Sequence, residues 1–152
     1  MFGSLKENLE ARGLELSARY MMSDFELAIR DSFISHFPDV EAKGCAFHFC
    51  QAIMKKIAKN GFKGQYSDPK CAAFRGFIRG MMGIVNVPPL RLKEAIRNLY
   101  ILADKLTGRQ RSFSISLIKY FNRTWVNGHF PPSTWMMFDH KGETTNNQSE
   151  GM

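Results

Sequence analysis

Three groups of side chains in this sequence could do chemistry. Asp24 follows the apolar run Ala18-Arg19-Tyr20-Met21-Met22, so a carboxylate stands just past the end of what reads as a short buried strand. Polar groups at the carboxyl ends of parallel strands tend to face a site. Cys45 and His48 form a Cys-x-x-His, a spacing that zinc uses when a second ligand pair completes it. Residues 51–123 carry 15 Lys and Arg against 3 Asp and Glu, net +12, which suits phosphate. Each group also has a plainer reading. Ser23-Asp24-Phe25-Glu26 is a capping box, with Ser23 capping a helix and Glu26 reaching back. Cys45, His48 and Cys50 fit the core of a strand, and the cations fit a solvated face.

The elements that must position these groups begin with a strand, helix and strand. Phe25, Ile29 and Phe33 recur at helical spacing, with Ala28 and Phe37 on the same stripe. Pro38-Asp39 stops that helix, and Val40 to Phe49 reads as a second extended stretch ending in Cys45 and His48. The spacing predicts a βαβ unit with parallel strands near 19–23 and 44–47, crossed by a helix over 25–37. A helix over 4–13, opened by the capping box Ser4-Leu5-Lys6-Glu7, is expected to pack on this sheet.

From Phe49 the pattern turns helical. Ile53, Ile57 and Ala58 face inward and Lys55, Lys56 and Lys59 outward, until Asn60-Gly61 stops the helix and residues 63–67 form a loop. Asp68-Pro69 starts the next helix, with Phe74, Phe77, Ile78, Met81 and Val85 as its stripe and Arg75 and Arg79 four apart. Val87-Pro88-Pro89 breaks the chain. A helix over 90–106 turns Leu92, Ile96, Leu99, Ala103 and Leu106 inward among Arg91, Lys93, Arg97 and Lys105. A last long helix over 112–126 carries Phe113, Leu117, Tyr120, Phe121 and Trp125 on a single stripe, which marks them as core rather than as a base-stacking platform. Pro131-Pro132 then leads to Trp135, expected to anchor the helical part to the sheet-bearing part.

Composition bounds the rest. The chain has 152 residues and 44% apolar content, enough for one core. No run approaches the roughly 18 apolar residues of a membrane span, and MFGSLKENLE lacks a signal peptide's apolar segment. With three cysteines at uneven spacing, a reduced intracellular setting without a membrane partner is expected. Residues 1–50 are net −3 (5 Lys and Arg, 8 Asp and Glu) and residues 124–152 net −2 (1 and 3), so the positive charge is confined to the middle.

Read in order, MMSDFELAI, GCAFHFCQAIMKKI, KYFNRTW, PPSTW and TTNNQSEGM resemble the catalytic domain of Mutator-like element (MULE) transposases, over nearly the whole chain from about Leu5 to Met152. The resemblance implies membership of the DDE group: an RNase H-like core in which two Asp and one Glu hold Mg²⁺ or Mn²⁺, with a helical insertion before the Glu. The second Asp matches Asp24, the Glu matches Glu150, and the family's Cys-x-x-His matches Cys45 and His48, where Zn²⁺ is a further expectation. The first Asp would lie upstream of Met1, and no acidic residue here matches it.

The fold expected is therefore α/β and predominantly helical: a partial RNase H-like core with two parallel strands in 1–50, a basic all-α insertion in 51–130, and a return to the core in 131–152 with a cut Glu-bearing helix. The function implied is metal-dependent DNA cleavage and strand transfer in transposition of a transposable element, with this chain by itself expected to be inactive. The alternative is a domesticated or decayed transposase-derived DNA-binding or interaction module without catalysis. The partners implied are DNA, both transposon ends and target, and a second copy of the chain; the location implied is the nucleus. The DNA-binding candidates are Lys55, Lys56, Lys59, Arg75, Arg79, Arg91 and Arg97.

Overall fold

The computed structural model of the chain describes residues 2–16 and 20–140; Ala18 and Arg19, and Glu150 with the rest of the tail after His140, lie outside them. Strand β1 is Tyr20–Ser23 and β2 is Glu41–Gly44, paired in parallel with Tyr20 opposite Glu41 and Ser23 opposite Gly44. One more ladder bond follows, from Cys45 N–H to the Ser23 carbonyl at 2.8 Å. Helix α2, Leu27–His36, makes the crossover. Helix α1, Phe2–Ala11, packs chiefly on α2 and not, as expected, on the sheet, with the Phe2 ring edge-on to Phe33 at 5.2 Å. Ser4 lies inside α1, so it does not cap it. Phe33, Phe37 and Val40 form a small buried cluster here, with Phe2, Leu9 and Met21 packed against it.

The larger core belongs to the helices that follow. These are α3 (Ala46–Lys59), α4 (Lys63–Ser67), α5 (Ala72–Gly83), α6 (Leu92–Asp104) and α7 (Gly108–Phe121), then a π-helical turn over Asn122–Val126 and the short α8, Pro132–Trp135. The expected stripes are the buried ones: Ile53 and Ile57 of α3, Phe74, Phe77, Ile78 and Met81 of α5, Leu92, Leu99 and Ala103 of α6, and Leu117, Phe121 and Trp125 further on. Gly61 stops α3 with φ of 79°, a backbone that a side chain would strain. Asp68 caps the turn before α5 by accepting from Lys70 N–H at 2.9 Å, as Asp-Pro predicts. The chain is thus predominantly helical with a two-stranded parallel sheet, and no helix among its described residues is long and apolar enough to cross a membrane.

Several elements depart from the expectations. The second extended stretch ends at Gly44 rather than Phe49, and His48 lies in the first turn of α3. A short apolar run cannot be told from a buried helix by periodicity, and here Phe49 is drawn into helical spacing with Ile53 and Ile57 by the aromatic rings around it. The box at Ser23 to Glu26 does not form: Ser23 closes β1, Glu26 precedes α2 without a side-chain capping bond, and Phe25 is off the helix stripe. Ala28 and Ala58 are exposed, and residues 63–67 form α4 rather than a loop. Leu90 stands 98% exposed before α6, and α7 begins at Gly108, four residues earlier than its stripe suggests.

Trp135 joins the two parts. It is fully buried, stacks on Phe49 at 5.4 Å and 10°, and meets Phe121 edge-on at 5.6 Å. Its indole Nε1 donates to the Trp125 carbonyl at 2.7 Å. Two residues on, Met137 N–H donates to the Val85 carbonyl at 2.7 Å, and Lys43 of β2 donates to the Ser133 carbonyl at 2.7 Å. Trp135→Ala should therefore cost about 3–5 kcal/mol. Trp135→Phe, which keeps a ring and removes the donor, should cost about 1–3 kcal/mol because a buried carbonyl loses a partner. Urea unfolding of the two variants reads both values; equal losses would mean that the hydrogen bond and not the stack carries the junction.

Candidate functional site

Asp24 sits where the two strands end. The ladder closes at Ser23 and Gly44, Cys45 extends it by one bond, and Asp24 and Phe25 lead from it to α2. Asp24 is half-buried, and its carbonyl accepts from Glu26 N–H at 2.8 Å, a tight bend that fixes the carboxylate just past β1. Asp24, Glu26, Arg30, Lys43, Phe130 and Thr134 line a cleft there of about 10 Å³, room for about one water.

Phe25 and Gly44 set the shape of this cleft. The Phe25 ring leans edge-on against Trp125 at 4.6 Å and Phe130 at 5.1 Å, and it covers Gly44 so closely that a Cβ there would run into the ring. The ring cannot retreat, because Trp125 is itself buried against Phe49. Asp24 is thereby tied to the helical core through its neighbour in the chain.

Two cations line the cleft that the sequence did not single out. Lys43 has 13% of its side chain exposed and is held by Glu41 at 2.8 Å as well as by the Ser133 carbonyl. Arg30 has a long bond from Nη1 to the His129 carbonyl at 3.4 Å, while its buried Nε meets no partner. The parallel register could have found Lys43, which pairs with Met22 one step before Asp24's end of the sheet. Arg30 is four residues after Glu26, one turn along α2, and nothing in the sequence pattern shows that it turns toward Asp24.

Cys45 is the residue just before α3 and donates its N–H to the Ser23 carbonyl at the end of the ladder, and His48 lies in the first turn of α3, so neither is on the strand that the sequence predicts. Cys45 is fully buried. Among the described residues no three His, Cys, Asp or Glu side chains come together to hold a metal ion. Glu150, the other carboxylate expected beside Asp24, lies outside the described residues. Burial pushes the Cys50 thiol up from its ordinary value, and the nearby Cys45 adds to the shift.

The basic candidates fall on three helices. Lys55, Lys56 and Lys59 are on α3, Arg75 and Arg79 on α5, and Arg97 on α6, with Arg91 just before it. Lys56 lies over the Tyr120 ring at 4.3 Å. Arg91 is clamped by Glu94 through two bonds of 2.9 and 2.8 Å, which hold the Glu94 carboxyl below its ordinary value and occupy the guanidinium. Arg91 is therefore the poorest placed of the seven for phosphate.

No protein-family model matches the chain, and none of the curated proteins or solved structures compared with it matches either.

Two outcomes follow from this geometry. Gly44→Ala should destabilise by about 1–3 kcal/mol, since the Phe25 ring must move against packed aromatics; an unchanged thermal midpoint would show that the ring has room. In a pH series of iodoacetamide alkylation read by mass spectrometry, Cys50 should react slowly near neutrality and speed up only above the ordinary thiol range, because its raised pKa leaves little thiolate. Fast labelling of Cys50 at pH 7 would contradict its burial.

Proposed function

We propose that this chain is part of the catalytic domain of a Mutator-like DNA transposase and that its substrate is DNA. The observation that supports this most is the position of Asp24, a half-buried carboxylate immediately past the first of two parallel strands whose carboxyl ends meet there. Strand cleavage of this class relies on two divalent ions that activate a water or 3′ hydroxyl and neutralise the leaving oxygen. Asp24 suits one bridging or anchoring carboxylate of such a site, because Mg²⁺ and Mn²⁺ prefer hard oxygen ligands. The described residues supply no complete ligand set around it, so no cleavage step is assigned to them alone. Glu150 is the proposed partner by resemblance. The basic helices between these two carboxylates would hold the DNA, the fold would be RNase H-like, and the protein would work in the nucleus as a self-associating enzyme.

The test uses a protein in which this chain is joined to a strand bearing the family's first Asp. Asp24→Asn and Glu150→Gln should each lower Mg²⁺-dependent nicking of transposon-end DNA by at least about a hundredfold while duplex affinity stays unchanged. Full activity in either variant would make that residue an ordinary structural carboxylate.

A further inference from the structure

The seven cations picked from the sequence lie on or next to α3, α5 and α6, and the structure sets a further one, Arg109, on an open surface beside the end of α3, where Lys59 of the seven also stands. A groove of about 630 Å³ runs between the end of α3 and the first turns of α7. Asn60, Gly108, Arg109, Ser112 and Ser116 line it, over a floor made by Phe62 and Phe113. No acidic residue lines it. The exposed Lys59 and Lys63 stand in the chain beside Asn60 and Phe62. Among the described residues no carboxylate pairs with Lys59, Lys63 or Arg109; the nearby Asp104 is already taken by Arg111 at 2.8 Å.

Resting on the reading that the chain acts on DNA, we infer that this groove grips the phosphate backbone of duplex DNA through Lys59, Lys63 and Arg109. Hydroxyl and amide groups and the Arg109 guanidinium in the lining, with the exposed Lys59 and Lys63 next to lining residues in the chain, are the kinds of group that proteins commonly use to hold phosphate oxygens. The floor argues against a single strand held by base stacking. Phe62 is 4% exposed and stacks on Phe113 at 4.4 Å and 19°, with the Arg109 guanidinium 5.5 Å from its ring centre, so its faces are covered. A grip confined to the sugar-phosphate backbone is indifferent to sequence.

The groove is also remote from Asp24. Helix α3 starts one residue after the sheet's last ladder bond and runs 14 residues, about 21 Å, before reaching it. At about 3.4 Å per base pair that is about six base pairs of duplex, so the groove would hold DNA flanking the reacting bond rather than the bond itself.

The experiment measures binding of the full chain to a 30-base-pair duplex by fluorescence anisotropy across a salt series. The groove triple Lys59→Gln, Lys63→Gln and Arg109→Gln is compared with Lys6→Gln, Arg12→Gln and Lys93→Gln, which remove the same charge at exposed positions outside the candidate set. The slope of log affinity against log salt should fall by about 2.7 in the groove triple, about 0.9 for each phosphate that the protein no longer neutralises, and by less than about 1 in the other. Affinity at 0.1 M salt should fall at least about tenfold in the groove triple alone. Equal losses in the two triples, or tighter binding of a single strand of the same length, would overturn the groove while leaving a DNA-acting protein. A wild-type chain that binds no duplex would sink both readings. Should the triple melt early, Lys59→Gln and Lys63→Gln made singly, at exposed positions, keep the test through a slope change of about 0.9 each.

Discussion

The stack of Trp135 on Phe49, with its indole N–H on the Trp125 carbonyl, is the interaction on which the arrangement of the two parts depends. The sheet is only two strands of four residues, too small to stand without packing against something else. It finds that support in the aromatic cluster of Phe25, Phe49, Trp125, Phe130 and Trp135, which reaches from the turn after β1 to the end of the helical body. Buried rings contribute through area and edge-to-face geometry together, and the two tryptophans bring α3, α7, the π-helical turn and α8 to one point. Asp24 is held firmly because its neighbour Phe25 is part of this cluster, not because its carboxylate is bonded.

Much of the helical body was legible in the sequence because its signals were local. Asp68-Pro69 and Asn60-Gly61 set helix boundaries by backbone chemistry, and the apolar stripes of α5 and α6 turned out to be the buried faces. The parallel pairing of β1 and β2 was legible too, since a strand, a ten-residue helix and a strand leave few other topologies. Less legible was the segment 45–49, where Cys-Ala-Phe-His-Phe is equally apolar as strand or helix and the decision came from rings far away in sequence. The capping box at Ser23 failed for a related reason: ladder bonding to β2 engaged Ser23 before a helix could use it.

For the candidate site, the sequence located Asp24 at a strand end but not what stands around it. Lys43 and Arg30 converge on the same cleft from a strand and a helix, and only the strand register brings out the first. The charge excess of residues 51–123 was plain in the composition, yet its distribution was not. Arg91 is neutralised by Glu94 and Arg111 by Asp104, pairings across three and seven residues that a residue count cannot weigh, whereas Arg109 meets the Phe62 ring, just past α3, only through the fold.

The π-helical turn at Asn122–Val126 gives this junction a particular sensitivity to chain length. Such a turn holds one residue more than an α-helical turn, and each residue in a helix advances the side-chain direction by about 100°. A one-residue deletion between Asn122 and Trp125 would let regular α-helix form and would improve local hydrogen bonding, yet it would swing the indole away from Phe25 and Phe49. Over evolutionary time this segment should therefore accept changes of residue type far more readily than changes of length, and the loop of Asn127 to Phe130 is where insertions can be absorbed. Gly128 marks the inner limit of that freedom, because any side chain there would strike the backbone carbonyls of Thr124 and Arg123 in the turn.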